Sequence, residues 1–279
     1  MENEHENAFH NFERSGWQKA AGEYDAGFGP VTRQAVFPLV RAAGAHNGAR
    51  LLDVACGPGY VAAAASRLGC SAVGIDFAPA MVDIATKMYG NEIPGIEFRL
   101  GNAEELDFSD ESFDIVVMNY GMLHLALPDR AISEAFRVLK PGGRYAFTVW
   151  AAPPATAAFE IVLSAVQLHG NTKVPLPEGP PFFRFSDAME SARSLTNAGF
   201  QNVESSVVPQ LWKLKDGSEL LSTMRRAAVR TAALLNLQEP EDLKRIEVEI
   251  SSRANGFRKA GGIELPMPGI LTCAGKPTR

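Results

Sequence analysis

The stretch Leu51-Leu52-Asp53-Val54-Ala55-Cys56-Gly57-Pro58-Gly59-Tyr60 limits what this chain can fold into more than any other. A short apolar run carrying one acid passes straight into two glycines, and a run of small residues from Val61 to Leu68 follows without a break. That succession predicts a strand, a tight turn and a helix. Glycine lets backbone approach a ligand that a side chain would push away, and a helix start offers free N–H groups at the positive end of its dipole. A small polar ligand is therefore expected at the turn. The glycines alone do not choose it. Gly57 to Ala62 also satisfies the dinucleotide pattern G-x-G-x-x-G/A, and Asp76 stands nineteen residues after Gly57, where that pattern wants an acid for the ribose.

The rest of the chain supplies the context. Residues 1–11 read as a frayed tail, residues 14–24 as a helix presenting Trp17, Ala20, Ala21 and Tyr24 on one side, and residues 31–43 as an amphipathic helix after the break at Gly27-Phe28-Gly29-Pro30. The helix bearing Trp17 and Tyr24 either docks its aromatics on the domain or forms a lid whose tyrosine meets the ligand. From residue 49 onward strands and helices alternate: strands at 50–55, 71–76, 95–100, 113–119 and 143–150, helices at 60–68, 79–88 and 129–139. Near-continuous apolar strands alternating with helices predict an α/β fold, Rossmann-like and doubly wound, with a mostly parallel sheet. Ligands in such sheets bind beyond the carboxyl ends of the strands, where Gly57, Asp76, Asn102 and Asn119 all fall. Beyond Trp150 helices are expected at 155–169, 186–198, 216–237 and 240–257, with strands near 202–208 and 263–274. The last two helices lie between those strands, either as a cap over the ligand face or as a flanking layer.

Composition narrows the function classes. A net charge of −5 gives no general attraction to phosphate backbones or anionic lipid, so no nucleic-acid partner is expected. Three scattered cysteines, Cys56, Cys70 and Cys273, make neither a disulfide framework nor a metal cluster, and no metal is expected. No stretch reaches membrane-spanning length, the first residues are polar and acidic, and a soluble cytoplasmic protein without membrane insertion is expected.

Asp53, the segment Gly101 to His124 and Leu139-Lys140-Pro141-Gly142-Gly143 break the tie between cofactors; a dinucleotide-binding strand normally carries an apolar residue where Asp53 stands. At this point the chain resembles the class I S-adenosylmethionine-dependent methyltransferases, in particular the group that includes the quinone-biosynthesis C-methyltransferases. Asp53 to Gly59 resembles their first motif, Val73-Gly74-Ile75-Asp76 the second-strand acid motif, and Gly101 to Phe108 the third-strand motif. Phe113 to Val117 and Arg137-Val138-Leu139-Lys140-Pro141-Gly142-Gly143 complete the set. The resemblance covers residues 17–150 closely and the remainder only in layout.

It implies a single methyltransferase domain over residues 1–279, with a seven-stranded sheet: an N-terminal helical lid to residue 45, a cofactor-binding core over 46–150, and a remainder carrying a helical cap at about 209–260 before the last strand. It implies S-adenosyl-L-methionine as cofactor. Asp53 with the backbone of Ala55 and Gly57 would hold its methionine end, Gly59 would belong to the same cofactor-binding loop, and Asp76 would accept from both ribose hydroxyls. Phe77 would lie against the adenine, Asn102 would accept from the adenine amino group where the family usually has an acid, Ala103 would offer its N–H, and Asn119 its carbonyl. Tyr24, and less surely Thr32, match positions that close over the methionine carboxylate. Each has a plainer alternative: Asp53 as a turn-capping acid, Asp76 as a helix cap, Asn119 as an ordinary strand end.

The catalytic residue is not identified by sequence. His124, in Gly121-Met122-Leu123-His124-Leu125, is either a general base near the cofactor or a structural histidine at a helix edge. Pro180 to Phe185 forms an aromatic cluster, lining an apolar pocket or packing under a loop. Arg225, Arg226 and Arg230 read as a solvated helix face. The expected partner is a small, moderately hydrophobic methyl acceptor. A nicotinamide-dependent oxidoreductase or a non-catalytic S-adenosylmethionine-binding module are the alternatives.

Overall fold

The structure, a computed structural model, describes residues 2–278. In chain order its strands are β1 (Arg50–Val54), β2 (Ser71–Asp76), β3 (Glu97–Leu100), β4 (Phe113–Asn119), β5 (Leu139–Trp150), β6 (Gln201–Val208), β7 (Leu211–Leu214), β8 (Arg258–Lys259), β9 (Gly262–Pro266) and β10 (Gly269–Gly275). The helices are α1 (Glu2–Gly27), α2 (Gly29–Thr32), α3 (Val36–Ala42), α4 (Tyr60–Arg67), α5 (Pro79–Ala85), α6 (Pro128–Val138), α7 (Ala157–His169), α8 (Ala188–Asn197), α9 (Gly217–Arg226), α10 (Arg230–Asn236) and α11 (Pro240–Asn255).

Seven strands make the central sheet in the order β3-β2-β1-β4-β5-β10-β6. The first five are parallel, and β10 runs antiparallel between β5 and β6. Leu51, Leu52 and Asp53 of β1 are each fully buried, because β2 and β4 flank the strand and helices cover both faces. The register aligns Asp53 with Gly74 on one side and Val117 on the other. The order reverses between β1 and β4, so the ends of these strands open a crevice at the centre of the sheet's carboxyl edge. Helix formation follows the apolar spacing: α6 buries Ala131, Ile132, Ala135 and Val138 behind a first-turn proline, and α11 buries Ile246, Ile250 and Ala254 along one stripe.

Several features differ from the sequence reading. The expected tail at 1–11 is part of α1, one continuous helix from Glu2 to Gly27. Its seat is tertiary: Phe9 is 2% exposed, with the Arg230 guanidinium 4.3 Å over its ring. The expected helix over 216–237 is two helices, parted at 227–229, where Val229 joins Trp17, Ala20, Ala21 and Met81 in a small apolar cluster. The extended stretch at 263–274 is two strands in different sheets, interrupted at Met267-Pro268.

The insertion between β6 and β10 therefore consists of α9, α10 and α11 together with a small antiparallel sheet, β7-β9-β8. Trp212 of β7 is 1% exposed and donates from its indole nitrogen to the carbonyl of Gly27 at 3.2 Å. That bond joins the insertion to the C-terminus of α1.

Candidate active site

The loop from β1 to α4 is shaped by three residues in the left-handed region, Ala55 (φ 53°), Gly57 (φ 51°) and Gly59 (φ 85°). Cys56 N–H continues the sheet ladder to Ile75 O at 2.9 Å, and Gly59 N–H closes the turn on Cys56 O at 2.9 Å. Asp76, at the end of β2, accepts from Gly57 N–H on one oxygen and from Ala78 N–H on the other, both at 2.9 Å. Burial pushes its carboxyl up to about 6, against the pull of the backbone donors at Ala78, Gly57 and Phe77. An ionised carboxylate has about four acceptor sites, so two backbone bonds leave capacity for a ligand's hydroxyls.

The two glycines serve different ends. A Cβ on Gly57 would meet nothing within 4 Å, whereas one on Gly59 would lie 2.7 Å from the Phe98 ring and 3.1 Å from Ala85. Gly57 borders the cleft; Gly59 lets α4 pack against β3 and α5. Asp53 likewise stands behind the cleft wall and does not line it. It is fully buried, accepts from Ala62 N–H at 2.9 Å through one oxygen, and has no partner on the other. Burial pushes it up to about 8, with the Ala62 bond opposing and Asp76 adding to the rise. Its position fits bracing the loop from beneath, which is the capping alternative, rather than touching a ligand.

The remaining candidates converge. Tyr24, Thr32, Ala55, Gly57, Asp76, Phe77, Asn102, Ala103, Asn119 and His124 all line one cleft that opens to solvent. Tyr24 donates to Thr32 Oγ1 at 3.2 Å, which sets the two side chains together on one wall, and burial raises the phenol to about 12. Asn119 accepts from Thr148 Oγ1 at 2.6 Å and donates to Thr32 O at 3.3 Å, so its side chain holds the wall together. Asn102 turns its side-chain oxygen back to Glu104 N–H at 3.0 Å. Tyr120, directly after β4, leaves the sheet at φ 56°, as Ala55 does after β1. Left-handed backbone in residues with side chains costs about 1–2 kcal/mol each, and here both instances border the cleft.

Aromatic rings form the far wall. Tyr120 stacks on Trp150 with centroids 4.0 Å apart, Phe159 meets Trp150 edge-on at 5.9 Å, and Phe182 meets Phe159 at 5.4 Å. The Pro180–Phe185 cluster thus divides between its two readings: Phe182 lines the cleft, while Phe185 is buried against Phe147.

At the mouth, His124 Nδ1 lies 2.9 Å from one oxygen of Glu13, and Arg230 Nε lies 2.7 Å from the other. Glu13 is completely buried. Arg230 also donates to the carbonyls of Pro180 and Leu123, at 2.8 and 2.7 Å. It is therefore not on a solvated face, because each arm of its guanidinium is committed to an acceptor within the fold. Trp17 meets the His124 ring edge-on at 4.8 Å. Glu13 and Arg230 are 217 positions apart, and neither carries a local signal of this pairing. Among the described residues no group of three or more His, Cys, Asp or Glu side chains could hold a metal ion, and no helix is long and apolar enough to cross a membrane.

Residues 52–147, which contain the glycine loop, Asp76, Asn102 and Asn119, match the family model for a methyltransferase domain. This stretch belongs to the methyltransferase-domain family. The chain is 34% identical over 124 residues to the demethylmenaquinone methyltransferase of Clavibacter sepedonicus, covering 44% of this chain and 47% of that protein. It is 41% identical over 106 residues to the ubiquinone/menaquinone biosynthesis C-methyltransferase UbiE of Bartonella bacilliformis, covering 36% and 41%. The match thus spans less than half the length of these relatives. The YcgJ protein of Bacillus subtilis superposes with a TM-score of 0.57 at 20% identity, over 88% of this chain and 99% of that one. The chain has the class I methyltransferase fold.

The cleft fits S-adenosylmethionine. Gly57 leaves room for close approach to backbone, the Asp76 carboxylate keeps acceptor capacity, and Phe77 and Met81 provide an apolar surface beside it.

Proposed function

We propose that this chain transfers the methyl group of S-adenosylmethionine to a small, moderately hydrophobic acceptor. The observation that carries the reading is the convergence of Gly57, Asp76, Phe77, Asn102, Ala103 and Asn119 on one cleft that continues into an aromatic wall. In this proposal Asp76 accepts from the ribose hydroxyls, a task suited to a carboxylate. Phe77 and the Asn102–Ala103 turn receive the adenine, and the backbone around Ala55, Gly57 and Asn119, with Tyr24 and Thr32 opposite, receives the methionine portion.

The bound sulfonium supplies an already electrophilic methyl. What the chain must add is position and the exclusion of water. Both fall to α1 and to the insertion before β10: Trp17 and Tyr24 come from the first, and Val229, Arg230 and Thr231 from the second. We take these as lid and cap of a single methyltransferase domain. The wall of Trp150, Tyr120, Phe159 and Phe182 suits a flat apolar acceptor, consistent with relatives named for quinone methylation.

A screen with tritiated-methyl S-adenosylmethionine across phenols, reduced quinones, amines and carboxylates tests the proposal. Label transfer to an aromatic or other apolar member is expected. Silence across the panel, with S-adenosylhomocysteine still binding, would favour a non-catalytic binding module.

A further inference from the structure

The three segments around the cleft mouth are joined by one buried carboxylate. Glu13 comes from α1, His124 from the turn after β4, and Arg230 from the first residue of α10, and each oxygen of Glu13 serves one partner. An arginine side chain only donates, so the oxygen facing Arg230 accepts. Opposite that fixed positive charge the carboxylate accepts at its second oxygen too, and the atom facing it, His124 Nδ1, must carry a proton. In a neutral imidazole the other nitrogen is then a lone-pair acceptor. Among the described residues Nε2 has no hydrogen-bond partner, while the ring lines the cleft and Trp17 and Phe182 hold it edge-on, at 4.8 and 6.1 Å.

We infer that Glu13 is a positioning residue that fixes His124 as the Nδ1–H tautomer, turning an unprotonated Nε2 toward the acceptor side of the cleft. Arg230 holds Glu13 in that role. The inference rests on the methyl-transfer reading for its use: an acceptor O–H or acidic C–H gives its proton to Nε2, the freed electron pair forms the new bond to the methyl carbon, and sulfur keeps the pair of the broken C–S bond. Because Glu13 sits on α1, the base is assembled only while that helix is seated over the cleft. An acceptor that enters with α1 displaced meets an unoriented imidazole, and one enclosed by α1 meets an oriented acceptor nitrogen.

The test is the tautomer itself, read by long-range ¹H–¹⁵N NMR of the His124 ring at alkaline pH, with and without S-adenosylhomocysteine, in the wild type and in Glu13→Gln. Wild type is expected to show Nδ1–H with unprotonated Nε2. In Glu13→Gln, Arg230 keeps the amide oxygen, the amide NH₂ faces His124, and the ring is expected to switch to Nε2–H. A ring whose tautomer is set by anything other than Glu13 would show no such switch. An Nε2–H wild type, or the same tautomer in both proteins, would overturn the inference; if the variant does not fold, the wild-type spectrum alone decides. Calorimetric titration with S-adenosylhomocysteine on the same samples separates the two readings, since failure to bind it removes the methyl-transfer reading and leaves the tautomer result standing by itself.

Discussion

Asp76 Oδ2 accepts from the backbone N–H of Gly57 at 2.9 Å, so the acid that ends β2 fixes the glycine loop that ends β1. The same carboxylate holds Ala78 N–H at the start of α5. One side chain thereby sets the relative position of two strand ends and a helix start, and it remains at the surface of the cleft they enclose. A ligand held by Asp76 would therefore be coupled to the geometry of the loop.

If Asp76 holds the cofactor as proposed, cofactor affinity should depend on pH. Asp76 is raised to about 6, and hydroxyl donors favour its ionised form. S-adenosylhomocysteine affinity should be constant above about pH 6 and weaken below it, approaching about tenfold per pH unit. Asp76→Asn should bind about 10-fold or more weakly at pH 7.5 and lose the pH dependence. Calorimetry from pH 5 to 8 checks this; a flat wild-type profile would contradict the assignment.

Asp53 gives a stability signature in the ligand-free protein. Burial raises it to about 8 from 3.8, so between those values the folded protein holds a proton that the unfolded chain has released. Stability should fall as pH rises through this window and level off above it. Asp76 contributes a slope of the same sign only up to about 6. From pH 6 to 8.5 the melting temperature of the wild type should thus drop by more than that of Asp53→Asn, by a few degrees. Equal slopes in differential scanning calorimetry would show that Asp53 does not titrate there.

The glycines of the loop should separate by phenotype. Gly59→Ala adds left-handed strain of about 1–2 kcal/mol to a 2.7 Å approach to Phe98, and should lower the melting temperature by about 4 °C or more. Gly57→Ala carries similar strain but projects its methyl into open cleft, and should lose the larger part of its S-adenosylhomocysteine affinity. Thermal melts and titrations of both variants decide it, and the reverse ranking would contradict the roles given to them.

The seat of α1 depends on Phe9. Truncation of a buried phenylalanine costs about 3–5 kcal/mol, and here the loss also removes the ring beneath Arg230. In Phe9→Ala the amides of α1 should exchange at least about tenfold faster while those of β1 and β4 keep their protection. Unchanged exchange in α1 would mean that other contacts hold the helix.

What could be read in the sequence was local. β1, β2 and β4 show as apolar runs, and the positions at or just past the ends of the first four strands, Gly57, Asp76, Asn102 and Asn119, are among those that line the cleft. What escaped notice depends on partners far along the chain. Residues 1–11 read as a frayed tail, yet Phe9 is buried with Arg230 over its ring, and Glu13, just beyond them, is buried and paired with the same arginine. β7 is four residues long and exists through pairing with β9, about fifty positions later. Arg230 reads as a surface cation beside Arg225 and Arg226, and only the break after α9 turns it inward. Gly59 and Asp53 were legible as parts of a motif but not as residues behind the cleft wall, since a pattern does not say which side of a strand end meets the ligand.

Isothermal titration calorimetry with S-adenosylhomocysteine and, separately, with NAD tests the central claim most directly, because the loop pattern alone suits either cofactor and the two differ in what must fill the cleft beyond Asp76. The proposed reading expects saturable binding of S-adenosylhomocysteine at one site per chain, lost or much weakened in Asp76→Ala, and none of NAD. Tight binding of NAD with no binding of S-adenosylhomocysteine would contradict it.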